Sequence, residues 1–207
     1  MNEPEEDRYP VAIDLASWRK AERARLIEQR LAVPSTQRRL WSEQIGRALM
    51  ELIGDARGPV VSGYWPFRGE PQLLPLLRDL QNQGIRTALP VVVAKGTPLE
   101  FREWKSGDKL AHGVWRIPFP ANGPEVVPNV VIAPVVGFDS EGYRLGYGGG
   151  FFDRTLAALK TRPTAVGVGF SQALMPTIIP QWHDIPMSSI VTEEGIFPLT
   201  SRGNPNK

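Results

Sequence analysis

Residues 142–154 read G-Y-R-L-G-Y-G-G-G-F-F-D-R. Five of the chain's 20 glycines fall between Gly142 and Gly150, directly after an apolar segment that reads as a buried strand. Lacking a Cβ, Gly146, Gly148, Gly149 and Gly150 can take φ > 0 and let backbone N–H groups approach an anion closely. A helix beginning near Phe152 to Arg154 would add the positive end of its dipole, which also favours phosphate. The string is therefore expected to be a phosphate-binding loop. It is not a Walker A loop, because no Lys-Ser or Lys-Thr pair follows the glycines. A dinucleotide fingerprint would need glycine where Phe151 stands, and the next strand, over 165–169, does not end in an acidic residue. Arg144, Tyr147, Phe151, Phe152 and Asp153 set the segment apart from a flexible Gly/Ser linker.

Carboxylates supply the second kind of chemistry. Asp153 stands on the helix side of the loop, and Asp184 follows His183 in a Pro-flanked loop expected to fold back to the same edge. Two carboxylates suit Mg²⁺, which takes hard oxygen ligands and bridges protein to nucleotide phosphate. Helix capping by Asp153 and a turn role for Asp184 account for the same residues without a metal. Glu70 follows Trp65, Pro66 and Gly69 and precedes Pro71, which suits the first turn of a helix. His112 and His183 are too few for a histidine metal site, though His183 beside Asp184 is a candidate proton carrier. Ser62, Ser171 and Ser188 lie in no G-x-S-x-G elbow, and the absence of cysteine excludes disulfides, zinc–thiolate sites and a cysteine nucleophile. Trp18, Trp41, Trp104, Trp115 and Phe138 read as core or rim packing.

Positioning these groups requires alternating elements. Asp14 can cap a helix to about Leu31, and Ser35 can cap a second whose apolar face holds Ile45, Leu49 and Ile53, with Gly54 as its stop. The pattern then predicts a strand over 59–64, a helix over 73–83 ended by Gly84, and a strand over 87–93. Lys95-Gly96-Thr97 turns a hairpin toward 99–104, and 105–129, rich in Pro and Gly, reads mainly as loop. A strand over 130–136, the glycine loop, a helix over 153–160 and a strand over 165–169 make a second βαβ unit. The expected fold is α/β: a single-domain, three-layer Rossmann-like sheet with helices on both faces and a glycine-rich phosphate loop. Ligands would collect beyond the carboxyl ends of its strands, where 65–70, 137–150 and 170–172 emerge.

At 207 residues, 42% hydrophobic and 22% charged, the chain reads as one soluble core. The domain is placed at 14–200, with mobile tails at 1–13 and 201–207. Glu3, Glu5, Glu6 and Asp7 are unlike a secretory signal, and no run approaches the ~20 apolar residues of a membrane span, so the expected compartment is cytoplasmic, with no membrane partner. Arg19, Lys20, Arg23, Arg25, Arg30, Arg38 and Arg39 form a basic cluster interrupted by Glu22 and Glu28. Nucleic acid is disfavoured because no motif accompanies the cluster; a solvated helix face or a face toward a polyanionic small molecule explains it.

The glycine string resembles the R-L-G-x-G-G-G-[YF]-[YF]-D-R signature of the 5-formyltetrahydrofolate cyclo-ligase family. Further similar strings keep the family's order: G-Y-W-P-F-R-G-E at 63–70, A-L-P-V-V at 88–92, V-G-V-G-F-S-Q at 166–172, P-Q-W-H-D-I-P at 180–186 and I-V-T-E at 190–193. The resemblance implies an ATP- and Mg²⁺-dependent ligase, a monomer or weak homodimer, that converts 5-formyltetrahydrofolate, free or polyglutamylated, to 5,10-methenyltetrahydrofolate with release of ADP and phosphate. It implies ATP contacts from Arg19, Arg144, Leu145, Gly146, Tyr147, Gly148, Gly149, Gly150, Phe151 and Phe152. Trp65, Glu70, Tyr147, Gly148, Gly149, Gly150 and Phe151 would contact the folate, Asp153 and Asp184 the metal, and Asp153 and Arg144 would act in catalysis. The chain departs from the family pattern at three places: Leu15 occupies the position of an N-terminal lysine, for which Lys20 or Arg23 could substitute; Phe152 replaces a frequent Tyr; and Ser188 replaces an acidic residue. These departures leave open a paralogue with another substrate, or a folate- or nucleotide-binding regulator.

Overall fold

The computed structural model describes residues 14–54 and 60–200. The tails expected at 1–13 and 201–207, and the first residue of the strand predicted over 59–64, lie outside those residues.

Helix α1 (Leu15–Ala32) starts where Asp14 Oδ1 accepts the N–H groups of Ala16 and Ser17 at 3.2 and 3.3 Å. Helix α2 (Ser35–Ile53) has Pro34 at its N-cap, so Ser35 is its first helical residue and not the expected cap. Ile45, Leu49 and Ile53, four residues apart, bury its inner face. Strand β1 (Val60–Ser62) leads through a loop to α3 (Leu74–Asn82), which has proline in its first turn and buries Leu76, Leu77 and Leu80. Gly84, at φ +82°, reverses the chain into β2 (Arg86–Val91), and the predicted hairpin delivers β3 (Glu100–Glu103) antiparallel to it.

Residues 105–129 are mainly loop, as expected, but the loop carries a ribbon that the sequence does not predict: β4 (Leu110–His112) and β5 (Pro118–Pro120) pair antiparallel, apart from the main sheet. Strand β6 (Val130–Pro134) is followed by the short ribbon of β7 (Gly137–Phe138) and β8 (Arg144–Leu145). Helix α4 (Phe151–Ala158) begins earlier than predicted, with Gly150 as its N-cap, so Asp153 falls in the first turn and does not cap it. Strand β9 (Thr164–Val168) precedes two strands that the periodicity does not predict, β10 (Ser189–Thr192) and β11 (Gly195–Phe197).

Seven strands form one mixed sheet in the order β11-β10-β9-β6-β1-β2-β3, parallel except for the two antiparallel edges, β3 and β11. Side chains along β6 alternate between its faces. Ile132 joins Val61, Leu89, Val166 and Val191 beneath α2 and α3. Val131 and Ala133 join Ala88, Phe101 and Ala165 beneath Leu156 and Phe152 of α4. Each fully buried Leu, Ile or Val stabilises the fold by about 1.5–3 kcal/mol. Helix α1 packs Leu26 with Val136, Leu145, Met175 and Ile178 beside the β7–β8 ribbon. The chain leaves β1 for β2 on one side and later returns to its other side with β6. That reversal opens a crevice past the carboxyl ends of β1 and β6, the place where open parallel sheets bind ligands.

Candidate active site

A cleft of about 990 Å³, open mouth included, occupies this crevice. Its walls are the segment after β1, the end of β2, residues 113–119, Pro134 of β6 and the glycine loop with the start of α4. Of the residues singled out in the sequence, Trp65, Glu70, Arg144, Gly146, Tyr147, Gly149, Gly150, Phe151, Phe152 and Asp153 line it. Arg19, Leu145, Gly148 and Asp184 do not. Leu145 is 1% exposed and packs in the core beside α1, where it anchors the strand that feeds the loop.

In the glycine loop, Gly148 (φ +89°) and Gly150 (φ +61°) take left-handed conformations, whereas Gly146 and Gly149 do not. Gly149 is confined for another reason: a Cβ there would sit 2.6 Å from the Phe151 ring. Two arginines clasp the loop from outside. Arg23 Nε of α1 donates to Gly146 O at 2.8 Å, and Arg154 Nη2 of α4 donates to Gly149 O. With those carbonyls turned to arginine, the N–H groups of Gly148, Gly149 and Gly150 donate to no acceptor among the described residues. Those of Phe151, Phe152 and Asp153 belong to the unpaired first turn of α4, whose first backbone bond is Arg154 N–H to Gly150 O.

Arg144 and Asp153 form a 3.0 Å ion pair in the cleft wall. Arg144 also donates to Ile185 O at 3.2 Å and lies over the Phe152 ring, and Asp153 Oδ1 accepts the Ile185 N–H at 3.1 Å. Burial lowers the affinity of the Arg144 guanidinium for its proton, against the opposing charges of Asp153 and Asp184. Asp184 is held separately: Arg19 Nη2 lies 2.5 Å from its Oδ2, which also accepts the Gln181 N–H at 2.7 Å. Burial pushes the Asp184 carboxyl up, but these hydrogen bonds and the charges of Arg19 and His183 outweigh it and hold it below the usual range. His183 is exposed beside the 95% exposed Trp182 and does not line the cleft. Among the described residues no group of three or more His, Cys, Asp and Glu could hold a metal, so any divalent ion would rest on one or two carboxylates plus a ligand's oxygens.

The opposite wall is aromatic around one buried acid. Phe67 stacks on Trp115 with ring centroids 6.0 Å apart, and Tyr147 tilts against both. Trp115 is therefore a rim residue of the cleft, 52% exposed and at φ +55°. Trp104 and Phe138 are core, as expected. Glu70 is 3% exposed, accepting the Phe67 N–H and the Tyr147 hydroxyl, each at 2.8 Å. Burial pushes its carboxyl up to about 7.

The sequence assigns no role in the cleft to Phe67, reads Trp115 only as packing, and does not single out Arg30 from the basic cluster; Arg30 reaches Tyr147 from α1. A signal for Arg30 was present: Arg19, Arg23, Leu26 and Arg30 recur at helical spacing, so the buried stripe of α1 carries its cations. Lys20 is exposed, and Arg23 is the cation that α1 adds beside Arg19.

The model of the 5-formyltetrahydrofolate cyclo-ligase family matches residues 15–193. The chain is 31% identical over 186 residues to the 5-formyltetrahydrofolate cyclo-ligase of Mycolicibacterium smegmatis, covering 86% of this chain and 95% of that protein. It is 30% identical over 180 residues to the Escherichia coli K12 protein of the same name, covering 82% and 97%. The NMR structure of Aquifex aeolicus 5,10-methenyltetrahydrofolate synthetase superposes with a TM-score of 0.76 at 28% identity, covering 89% of this chain and 95% of that one. A 5,10-methenyltetrahydrofolate synthetase from Mycoplasma pneumoniae, at 19% identity and a TM-score of 0.71, shares the fold. On the family match and these identities, the chain belongs to the 5-formyltetrahydrofolate cyclo-ligase family.

Proposed function

We propose that the protein catalyses the ATP-dependent closure of 5-formyltetrahydrofolate to 5,10-methenyltetrahydrofolate, releasing ADP and phosphate. Membership of the family supports the reaction. The observation that carries the assignment of the site is the division of one cleft into two chemistries. Acceptor-free N–H groups over 149–153 and the cation Arg144 line it together with the buried acceptor Glu70, set among Phe67, Trp115 and Tyr147.

The N–H groups suit phosphate oxygens, so the glycine loop serves as the phosphate cradle, with Arg144 and the backbone of 145–152 around the nucleotide and Arg19 and Arg23 beside it. Glu70 suits the N–H donors of a pterin, which Trp65, Phe67, Tyr147 and Phe151 would flank. The formyl oxygen, held toward the cradle, attacks the γ-phosphorus and displaces ADP; N10 then attacks the activated formyl carbon, its proton is lost, and phosphate leaves. Such a transfer needs alignment and charge neutralisation more than a protein nucleophile. Arg144, fixed in the cleft wall by Asp153 and Ile185 O, would stand beside the oxygens on which charge develops. The aromatic wall excludes water that would hydrolyse the phosphorylated intermediate.

The donor set fits Mg²⁺ through Asp153, whose hard oxygens line the cleft and each retain a lone pair beyond the bonds to Arg144 and Ile185. Asp184 would join it on leaving Arg19. The ion would neutralise the transferring phosphate's charge. Incubation with 5-formyltetrahydrofolate, ATP and Mg²⁺ is expected to yield the methenyl product spectroscopically with one ADP per turnover. ADP formation without that chromophore would favour another substrate, and binding without ADP would mark a non-catalytic protein.

A further inference from the structure

An unpaired charge in a protein interior is costly, so a buried guanidinium ordinarily lies against a carboxylate. Arg30 does not. It is 5% exposed, and the ion pairs among the described residues join Arg19 to Asp184, Arg25 to Glu22, Arg86 to Glu103, Arg102 to Glu100 and Arg144 to Asp153. Its Nε donates to Arg68 O at 3.0 Å, and Nη1 reaches Val135 O at 3.5 Å. Its Nη2 donates to the Tyr147 hydroxyl at 2.6 Å, which stands 2.8 Å from Glu70 Oε1. The nearest route from this cation to a carboxylate thus runs through one phenolic oxygen.

That oxygen can be used in only one way. A guanidinium has no acceptor, so the Tyr147 oxygen must accept from Arg30, and its single proton is turned to Glu70. The other Glu70 oxygen accepts the Phe67 N–H at 2.8 Å. Both oxygens are therefore addressed by donors, the arrangement that favours a carboxylate over a carboxylic acid.

We propose that Arg30 is a positioning residue for the folate: acting through Tyr147, it holds Glu70 as a charged, acceptor-only group in the cleft. The inference rests on the reading of Glu70 as the pterin acceptor. Four groups face Glu70: Arg30 from α1, Tyr147 from the glycine loop, and Tyr64 and the Phe67 N–H from the segment after β1. The Tyr64 hydroxyl is spent on Pro71 O at 3.2 Å. Burial pushes the Glu70 carboxyl up to about 7, while Arg30, the Phe67 N–H and the Tyr147 hydroxyl pull it down. Without Arg30 the acid form would persist to higher pH and present a proton where the ligand also presents one.

Calorimetric titration of 5-formyltetrahydrofolate into wild type, Arg30→Met, Arg30→Lys and Tyr147→Phe between pH 5.5 and 9 tests this. Wild-type affinity is expected to climb with pH and level off as Glu70 ionises. In Arg30→Met the climb moves to higher pH by about one unit, a loss of ~10-fold on the rising limb. Arg30→Lys keeps the wild-type midpoint, and Tyr147→Phe shifts it in the same direction as Arg30→Met. A variant that loses affinity by one factor at every pH would show a merely structural arginine and overturn the inference. So would an unshifted midpoint in Tyr147→Phe, which stands as the test if Arg30→Met does not fold. No folate binding by the wild type at any pH would instead overturn the functional reading, and the inference with it.

Discussion

The guanidinium of Arg144 and the carboxylate of Asp153 pair at 3.0 Å with side-chain exposures of 4% and 19%, so the acid that faces the cleft is also the counter-charge of a buried cation. Function and stability are coupled at this pair.

Asp153→Asn is accordingly expected to do two things. It removes a hard oxygen ligand, abolishing Mg²⁺-dependent turnover, and it leaves Arg144 buried without its counter-charge, costing about 3–5 kcal/mol of stability. Thermal melts and turnover measured on the same preparation check both. Wild-type metal dependence in a destabilised variant would leave Asp153 a structural partner only.

Gly146 offers a cleaner probe of the cradle than its neighbours. A Cβ there meets nothing within 4 Å, and its φ is not left-handed, whereas Gly149 and Gly150 would collide with Phe151 and Arg154. Gly146→Ala should leave the melting temperature within about 2 °C of wild type and weaken ATP binding by roughly 10-fold, since the methyl group enters the cleft wall where phosphate approaches. Unchanged ATP affinity would move the phosphate site elsewhere.

Glu70 ties stability to pH. Its carboxyl is raised from 4.5 to about 7, so between these values the folded chain binds more protons than the unfolded one. The contribution to stability is whole below about 4.5 and falls as pH rises through about 7. The gap corresponds to ~3 kcal/mol at most. Glu70→Gln, which cannot ionise, is expected to gain stability over wild type between pH 5 and pH 8 by up to that amount, read from urea unfolding. The same variant should lose roughly 10- to 100-fold in folate affinity at pH 8 with ATP affinity unaltered. A pH-independent stability difference would show that Glu70 does not ionise over this range.

Asp184 competes for Arg19 with any phosphate that Arg19 binds, because its Oδ2 lies 2.5 Å from Nη2. Asp184→Asn should therefore bind metal-free ATP roughly 3- to 10-fold more tightly than wild type while losing stimulation by Mg²⁺. Tighter binding without loss of metal stimulation would keep Arg19 as a nucleotide contact and remove Asp184 from the metal.

The long periodic helices and the apolar runs of β6 and β9 were legible because burial on one helical stripe, or on both faces of a parallel strand, leaves a direct pattern of residues. β5 was hidden because it is three residues long with Pro118 and Pro120 at its ends, a composition that only an isolated ribbon or an edge tolerates. β10, four residues long, is too short for periodicity to register, and only its place in the family string drew notice. Glu70 and the glycine loop were found through local chemistry. Arg30 was not separated from a basic cluster read as a solvated face or a face toward a polyanionic small molecule, since polarity alone does not tell that its guanidinium is satisfied by Tyr147 and two carbonyls from distant segments.

The strand order also dictates when, during synthesis, this site can exist. β1 sits between β2 and β6, and Val61 pairs with Thr87 on one side and with Val130 on the other, so β1 cannot gain both neighbours until more than sixty residues have followed it. Arg30 and Glu70 emerge long before Tyr147, the group that links them. A folate held through Glu70 and Tyr147 would therefore stabilise a sheet that has already assembled. Cells short of the ligand would carry a correctly folded but less protease-resistant enzyme, and its abundance would follow the pool it consumes.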